Sequence, residues 1–471
     1  MFALIQVIQK FAQKNLSALQ QKGSFTRNFA ITLSGSALST VLGLLLTPVV
    51  SRIYPPAAYG QFAVYSSIIG NLSLLSTMSL PGAFFLPKQR SEFIDLVKLT
   101  LLVNLVSCML IALSLGFLGS WLMHKLQAEP LGMWFYTIPV MIFVYNVNNV
   151  LSTWYLRDKQ FAKRVSIDLI SNIGSRVFTI SYGLLVSGSV PGLLLGEFFN
   201  RLSNSMSLLL GSIRNELTLI WHDWSWTRLR HVASKYRDFL LYNLPAGYVY
   251  VLSTQLPIFA LAPLFGTAVV GAYAFSLSLL ELPINLLASA IAPVFQQKAT
   301  ETYHETPERL PAITLSLYYK LLYVGLLPFG FVTIYGDLLF KYVFGAKWEL
   351  AGLITGYLGY YYVFKLLSVG TGGIYVILNK TQNILYANLS LLLVRAVAFS
   401  IGWYYHDLDL TLLLFGLGSI TATFAADLNI LSLLKLPIWR IAIRTISLVG
   451  LVLIILKLSR LGLAHYWEFF R

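Results

Sequence analysis

The chain has 471 residues, of which 57% are hydrophobic and only 11% charged, with a formal net charge of +15 and a mean hydropathy of +0.70. Soluble domains carry roughly 25% charged residues. This composition therefore excludes a soluble enzyme, a disordered regulator and a secreted disulfide scaffold, and it specifies an all-α polytopic membrane protein.

Residues 1–27 interleave Phe2, Leu4, Ile5, Ile8 and Phe11 with Lys10, Lys14 and Lys22. They read as a cytoplasmic amphipathic segment lying in the membrane interface. Twelve apolar runs follow, each near the roughly 20 residues a spanning helix requires. They cover 28–50, 60–86, 96–120, 132–155, 166–187, 191–211, 241–264, 270–295, 313–335, 350–378, 384–405 and 409–433. A β-barrel is disfavoured because the runs are continuous rather than alternating. The longest polar stretch, 212–240, separates six spans from six. It defines an N-lobe over 28–211, a cytoplasmic linker, and a C-lobe over 241–435. The tail, 436–471, contains a shorter apolar run at 441–456, which reads as an extra helix, a thirteenth span, or as an interfacial segment.

Cytoplasmic loops of membrane proteins are enriched in Lys and Arg. With the N-terminus inside, inner segments hold 22 basic residues and outer loops four: Arg52, Lys125, Lys341 and Lys347. The N-terminus is therefore expected in the cytoplasm. The same bias accounts for the positive net charge, so nucleic acid is not an expected partner. The single cysteine, Cys108, lies in an apolar run and reads as packing.

The halves show an internal repeat. Pro48, Gly60 and Lys88 correspond to Pro257, Gly271 and Lys298 at offsets near 210. Arg176-Val-Phe-Thr-Ile-Ser-Tyr-Gly183 parallels Arg395-Ala-Val-Ala-Phe-Ser-Ile-Gly402. Six spans per half is an even number, so the halves enter from the same side. They are expected to be parallel repeats about a pseudo-two-fold axis along the membrane normal.

Charges at mid-membrane cost about 2.5–3.5 kcal/mol even by the lower scales and face a wet cavity or a partner. Arg176 and Arg395 occupy repeat-equivalent positions, and a guanidinium fork suits phosphate. They are read as a substrate-binding pair, with Asp168, Glu197 and Asp427 as the alternative, counter-ions. Lys365, beside Tyr361 and neighbouring tyrosines, either lines the same cavity or snorkels to the interface. Arg52 either guards the outer mouth or meets headgroups. Arg201 follows Glu197 at i+4, the spacing of an intrahelical ion pair. Glu281, Asp427 and Glu197 are read as H+ or Na+ coupling groups or as counter-ions. Asn146, Asn148 and Asn149 either tie helices together or touch sugar hydroxyls.

No phosphate-binding loop, no clustered metal ligands and no long outer loop occur in the sequence. Transport is therefore expected rather than covalent chemistry, with no cofactor beyond a coupling ion.

Three stretches resemble bacterial polysaccharide and O-antigen flippases: Ser51-Arg52-Ile53-Tyr54-Pro55-Pro56-Ala57-Ala58-Tyr59-Gly60, Tyr236 through Pro245, and Gln255 through Gln296. These flippases belong to the multidrug/oligosaccharidyl-lipid/polysaccharide (MOP) exporter superfamily. The resemblance covers about residues 24–435. It implies two six-helix lobes around a central cavity and movement of an undecaprenyl-diphosphate-linked oligosaccharide, an O-antigen, capsule or exopolysaccharide repeat unit. Transfer would run from the cytoplasmic to the outer leaflet of the bacterial inner membrane by alternating access. It also implies a polysaccharide polymerase and a chain-length regulator as partners. A cation-coupled multidrug exporter, a membrane glycosyltransferase or polymerase, and a scaffold for export machinery are the alternatives.

Overall fold

The computed structural model describes residues 25–211, 220 and 224–469. Most of the proposed N-terminal amphipathic segment, and Trp221, His222 and Asp223 of the linker, lie outside the described residues. The rest is built of α-helices. In the N-lobe these are α1 (Phe25–Ile53), α2 (Pro56–Ser76), α3 (Arg90–Lys125), α4 (Ile138–Arg157), α5 (Phe161–Leu185) and α6 (Val190–Leu209). A linker helix, α7 (Trp226–Lys235), follows. The C-lobe holds α8 (Leu244–Phe265), α9 (Thr267–Glu305), α10 (Leu310–Phe344), α11 (Glu349–Thr371), the short α12 (Gly373–Ile377), α13 (Gln382–Tyr405), α14 (Leu408–Leu433) and α15 (Ile438–Phe469).

Each of the thirteen apolar runs falls on helix, with three interruptions. The second expected span stops at Ser76, where Met78 and Ser79 take positive φ, and resumes as a 3-10 turn at Leu80–Phe85. The fourth begins as a 3-10 turn, Glu129–Thr137, bent at Gly132. The tenth breaks at Gly372 between α11 and α12. Among the described residues, eight helices are long and apolar enough to cross a membrane, α15 among them, or nine counting α1 and α2, bent by 119°, as one. The chain is a multi-pass membrane protein. Of the thirteen apolar runs, those on α5, α6 and α11 fall short for a physical reason. Helices α5, α6 and α11 carry Asp168, Asn172, Arg176, Glu197, Asn200, Arg201, three consecutive tyrosines and Lys365, which dilute their hydropathy.

The extra helix, α15, is long and apolar enough to cross a membrane and packs along the C-lobe. Tyr318 of α10 meets Thr445 of α15 at 3.1 Å, Tyr335 meets Ser459 at 2.7 Å, and Asp337 pairs with Arg460 at 2.5 Å. The partners advance together along both helices, so α15 runs parallel to α10 across its full depth.

The lobes meet through α2, α8 and α9. At the α2–α9 crossing, Gly60 and Gly271 face one another reciprocally. A Cβ on Gly60 would overlap the carbonyl oxygen of Thr267, and one on Gly271 would overlap that of Pro56. Pro56 and Thr267 each lie four residues before their own glycine, so the contact reads the same from either half. Beside it, Trp348 Nε1 donates to the Ser51 carbonyl (2.8 Å) and Lys347 Nζ to the Arg52 carbonyl (2.9 Å). Tyr59 packs edge-on against Trp348 and Phe275. These bonds seal the end of the lobes that the lysine and arginine distribution assigns to the outside.

At the opposite end, α7 docks on the start of α3. Lys235 pairs with Glu92, Tyr236 Oη donates to Glu92 at 2.8 Å, and Arg228 lies 3.4 Å from Asp95. The hydrogen bonds from Lys235 and Tyr236 hold the Glu92 carboxyl below its usual range. A depressed carboxylate contributes stability above its unfolded pKa and loses it as pH falls through the folded value. Acidification below the ordinary carboxylate range is therefore expected to release α7, seen as faster amide exchange over 226–235. Glu92→Gln should exchange at that faster rate already at neutral pH.

Candidate functional site

The central feature is a cleft of about 200 Å³ between the lobes, lined by α1 (Ser39, Thr40, Thr47), α5 (Asn172, Arg176) and α9 (Ser278, Leu279, Leu282). Helix α5 presents polar residues at i, i+4 spacing: Arg164, Asp168, Asn172 and Arg176. That spacing aligns them on one face of the helix. Arg176 ends the row in the cleft. It is exposed, and among the described residues it makes no hydrogen bond or ion pair. Its guanidinium therefore stands in the cleft between the two lobes without a counter-ion among the described residues.

Arg395, its repeat equivalent, is placed differently. It is 5% exposed. Its NH1 donates to the Ser253 carbonyl at 2.7 Å, NH2 to Tyr361 Oη at 3.1 Å and Nε to Ser419 Oγ at 3.3 Å. Phe415 lies 5.1 Å from its guanidinium carbon. The side chain is hydrogen-bonded within the C-lobe by α8, α11 and α14, and it makes no ion pair among the described residues. Of the two arginines expected to form a symmetric cationic centre, Arg176 lines the cleft between the lobes, whereas Arg395 is buried in hydrogen bonds within the C-lobe. Arg395→Ala leaves the Ser253 carbonyl and the Tyr361 hydroxyl short of a partner, at about 1–3 kcal/mol per buried polar group. A lowered melting temperature of the purified protein is the expected outcome.

Lys365 ion-pairs with Glu281 from α9, and Tyr362 Oη donates to the same carboxylate at 3.1 Å. Together with Tyr361 and Arg395 they line a C-lobe pocket of only about 60 Å³, under a third of the Arg176 cleft. Glu281 is thereby the counter-ion of a lysine rather than of an arginine. Asp427 is 1% exposed. It accepts from Ser368 Oγ at 2.6 Å, and its second oxygen has no hydrogen-bond partner. Tyr318 and Tyr375 are the titratable side chains near it.

Glu197 and Arg201 form the intrahelical pair their spacing suggests, at 2.7 Å. Asn146 is buried and does not line the cleft. Its amide donates to Ser76 Oγ (2.7 Å) and Asn104 Oδ1 (2.8 Å), while Ser73 Oγ donates to its oxygen at 2.5 Å; it ties α2, α3 and α4 together. Arg52 sits in the sealed seam, where its backbone carbonyl accepts from Lys347. Sequence reasoning weighed charges singly and missed Asn172, Asn200, Asn204 and Ser39. The i, i+4 ladders on α5 and α6 were the signal that could have found them.

Comparison with known proteins agrees with this architecture. Residues 49–351, nearly two thirds of the chain, match the family described as "Polysaccharide biosynthesis protein". No curated protein sequence matches it. Among solved structures, the lipid II flippase MurJ in an inward closed conformation aligns at TM-score 0.66 and 11% identity, over 94% of this chain and 100% of that one. An inward-facing multidrug resistance MATE family transporter of the MOP superfamily aligns at TM-score 0.63 and 16% identity, over 86% and 99%. An outward-facing conformation of such a transporter scores 0.51 at 16% identity, over 90% and 99%. The chain belongs to the polysaccharide biosynthesis protein family and carries the fold of the MOP exporters.

Proposed function

We propose that the protein is a flippase. It would carry an undecaprenyl-diphosphate-linked oligosaccharide from the cytoplasmic to the outer leaflet of the bacterial inner membrane, with its N-terminus in the cytoplasm, acting as a transporter and not an enzyme. The observation that carries the reading is Arg176, uncompensated in a cleft that both lobes line. Its fork matches two diphosphate oxygens at once, while the lipid tail stays in the bilayer beside the cleft. The family match supports a polysaccharide precursor as cargo. A polymerase and a chain-length regulator would take the product onward.

The sealed outer end and the better alignment to inward-facing relatives fit the state that loads from the cytoplasm. Transport then requires the seam at Ser51, Trp348 and the Gly60–Gly271 crossing to open. Glu281 is neutralised by Lys365, which leaves Asp427 as the carboxyl able to gain and lose H+ or bind Na+ during the cycle. A multidrug exporter for organic cations would need acids in its cleft, and the lining of this cleft has none.

The test is reconstitution. Proteoliposomes loaded with undecaprenyl-diphosphate oligosaccharide should expose the sugar on the opposite leaflet only when the protein is present. Imposed pH and Na+ gradients, compared in wild type and Asp427→Asn, report the coupling. Folded protein that exposes no sugar under any gradient would overturn the reading.

A further inference from the structure

Inside the N-lobe lies a second polar hollow, of about 390 Å³, bounded by α1, α4, α5 and α6. Its size is within the ~300–1,000 Å³ of small-ligand sites. Its walls carry four carboxamides, Asn148, Asn172, Asn200 and Asn204, beside the charged Arg164, Asp168 and Arg201.

The amides are held by one another. Asn200 Nδ2 donates to Asn172 Oδ1 at 2.9 Å, and Asn172 Nδ2 to Ser39 Oγ at 3.3 Å. Asn148 Nδ2 donates to Asn204 Oδ1 at 2.8 Å, and Asn204 Nδ2 to Asp168 Oδ1 at 2.7 Å. A carboxamide offers two N–H donors and two oxygen lone pairs. Asn172 and Asn200 therefore stay oriented yet keep both donor and acceptor capacity.

The charges nearby cancel. Arg164 lies 3.6 Å from Asp168, and Arg201 lies 2.7 Å from Glu197. The hollow is polar without net charge.

It is also continuous with the Arg176 cleft, since Ser39, Thr40, Leu169 and Asn172 line both. Asn172 precedes Arg176 by one helical turn, about 6 Å along the axis. A sugar bonded directly to a diphosphate held at Arg176 would come alongside Asn172.

We propose that this N-lobe hollow is the glycan subsite, and that it selects neutral, acetamido-bearing sugars over carboxylated ones. The proposal rests on the reading of Arg176 as the diphosphate clamp. An acetamido group has one N–H and one carbonyl, which a carboxamide pairs in both senses, and sugar hydroxyls likewise donate and accept. A uronic acid needs a free cation, and both arginines of the hollow already face acids. The Lys365 and Tyr361 pocket of the C-lobe, at about 60 Å³, is too small to take a sugar.

The experiment measures binding to full-length protein in nanodiscs. Three probes are used: undecaprenyl diphosphate, the same lipid bearing one N-acetylhexosamine, and the same lipid bearing one hexuronic acid. Wild type should prefer the acetamido lipid. Asn200→Ala, at a position outside the Arg176 cleft, should bind that lipid about tenfold more weakly and the bare diphosphate unchanged, which also shows that the variant is folded. Equal loss for bare and glycosylated lipids, no loss for either, or a wild-type preference for the uronic acid would overturn the subsite. Arg176→Ala should weaken all three probes alike. If it leaves the bare lipid unaffected, the diphosphate clamp is wrong, and that failure is separate from the sugar discrimination lost in the asparagine variant.

Discussion

Arg176→Ala is expected to insert and purify as wild type does, yet to move lipid-linked oligosaccharide roughly 100-fold more slowly. The side chain is exposed in the cleft and without hydrogen bonds, so its removal orphans no protein group and opens no core cavity. What disappears is a bidentate, charge-assisted contact to the substrate. Each such bond is worth about 1.5–3 kcal/mol, and 1.4 kcal/mol is a factor of ten. Arg176→Lys keeps the charge and loses the fork, so it should fall between. Initial rates of sugar exposure in proteoliposomes, normalised to reconstituted protein, give the comparison. Full activity in Arg176→Ala would remove the clamp from the mechanism. The contrast with Arg395 is informative, because substitution there is expected to act through stability.

A valine at Gly60 or Gly271 is expected to stop transport for a different reason. Each glycine lets the facing backbone approach so closely that even a methyl group would occupy a carbonyl oxygen. The neighbour is main chain, so no rotamer change relieves the overlap, and α2 and α9 must part. The hydrogen bonds of Trp348 and Lys347 to the α1 terminus would be drawn apart with them. The protein contains one cysteine, Cys108, which is buried. In a Cys108→Ala background, a cysteine at Ser278 in the cleft should be shielded from an impermeant maleimide added on the sealed side. It should become reactive when Gly60→Val is added. Persistent shielding with normal transport would show that the crossing is not part of the seal.

Most of the architecture was legible in the sequence because hydrophobic runs of membrane length leave few alternatives. All thirteen runs lie on helix, and the repeat marks Gly60 and Gly271 as equivalent positions, the two glycines that meet at the α2–α9 crossing. The site was less legible. Periodicity places Arg176 and Arg395 at equivalent depth, but it cannot show that Ser253, Tyr361 and Ser419 already satisfy one of them. Those partners come from three other helices and are distant in sequence. Glu281 and Lys365 illustrate the same limit, since α9 and α11 must pack before the pair exists. Glu197 and Arg201, one turn apart on one helix, needed only local geometry and were readable. Asn148 is singled out by the sequence, but Asn172, Asn200 and Asn204 are not, because a neutral amide adds nothing to a count of charges; only the packing of α4, α5 and α6 brings the four together.

The parallel course of α15 and α10 makes the C-lobe the more heavily braced half of the molecule. Tyr318 with Thr445, Tyr335 with Ser459 and Asp337 with Arg460 fasten α15 to α10 at three successive levels. A helix held at three levels moves with its neighbour as one body. When the lobes rock against each other, α15 therefore travels with the C-lobe and adds stiffness to it without touching the Gly60–Gly271 crossing on which the lobes pivot.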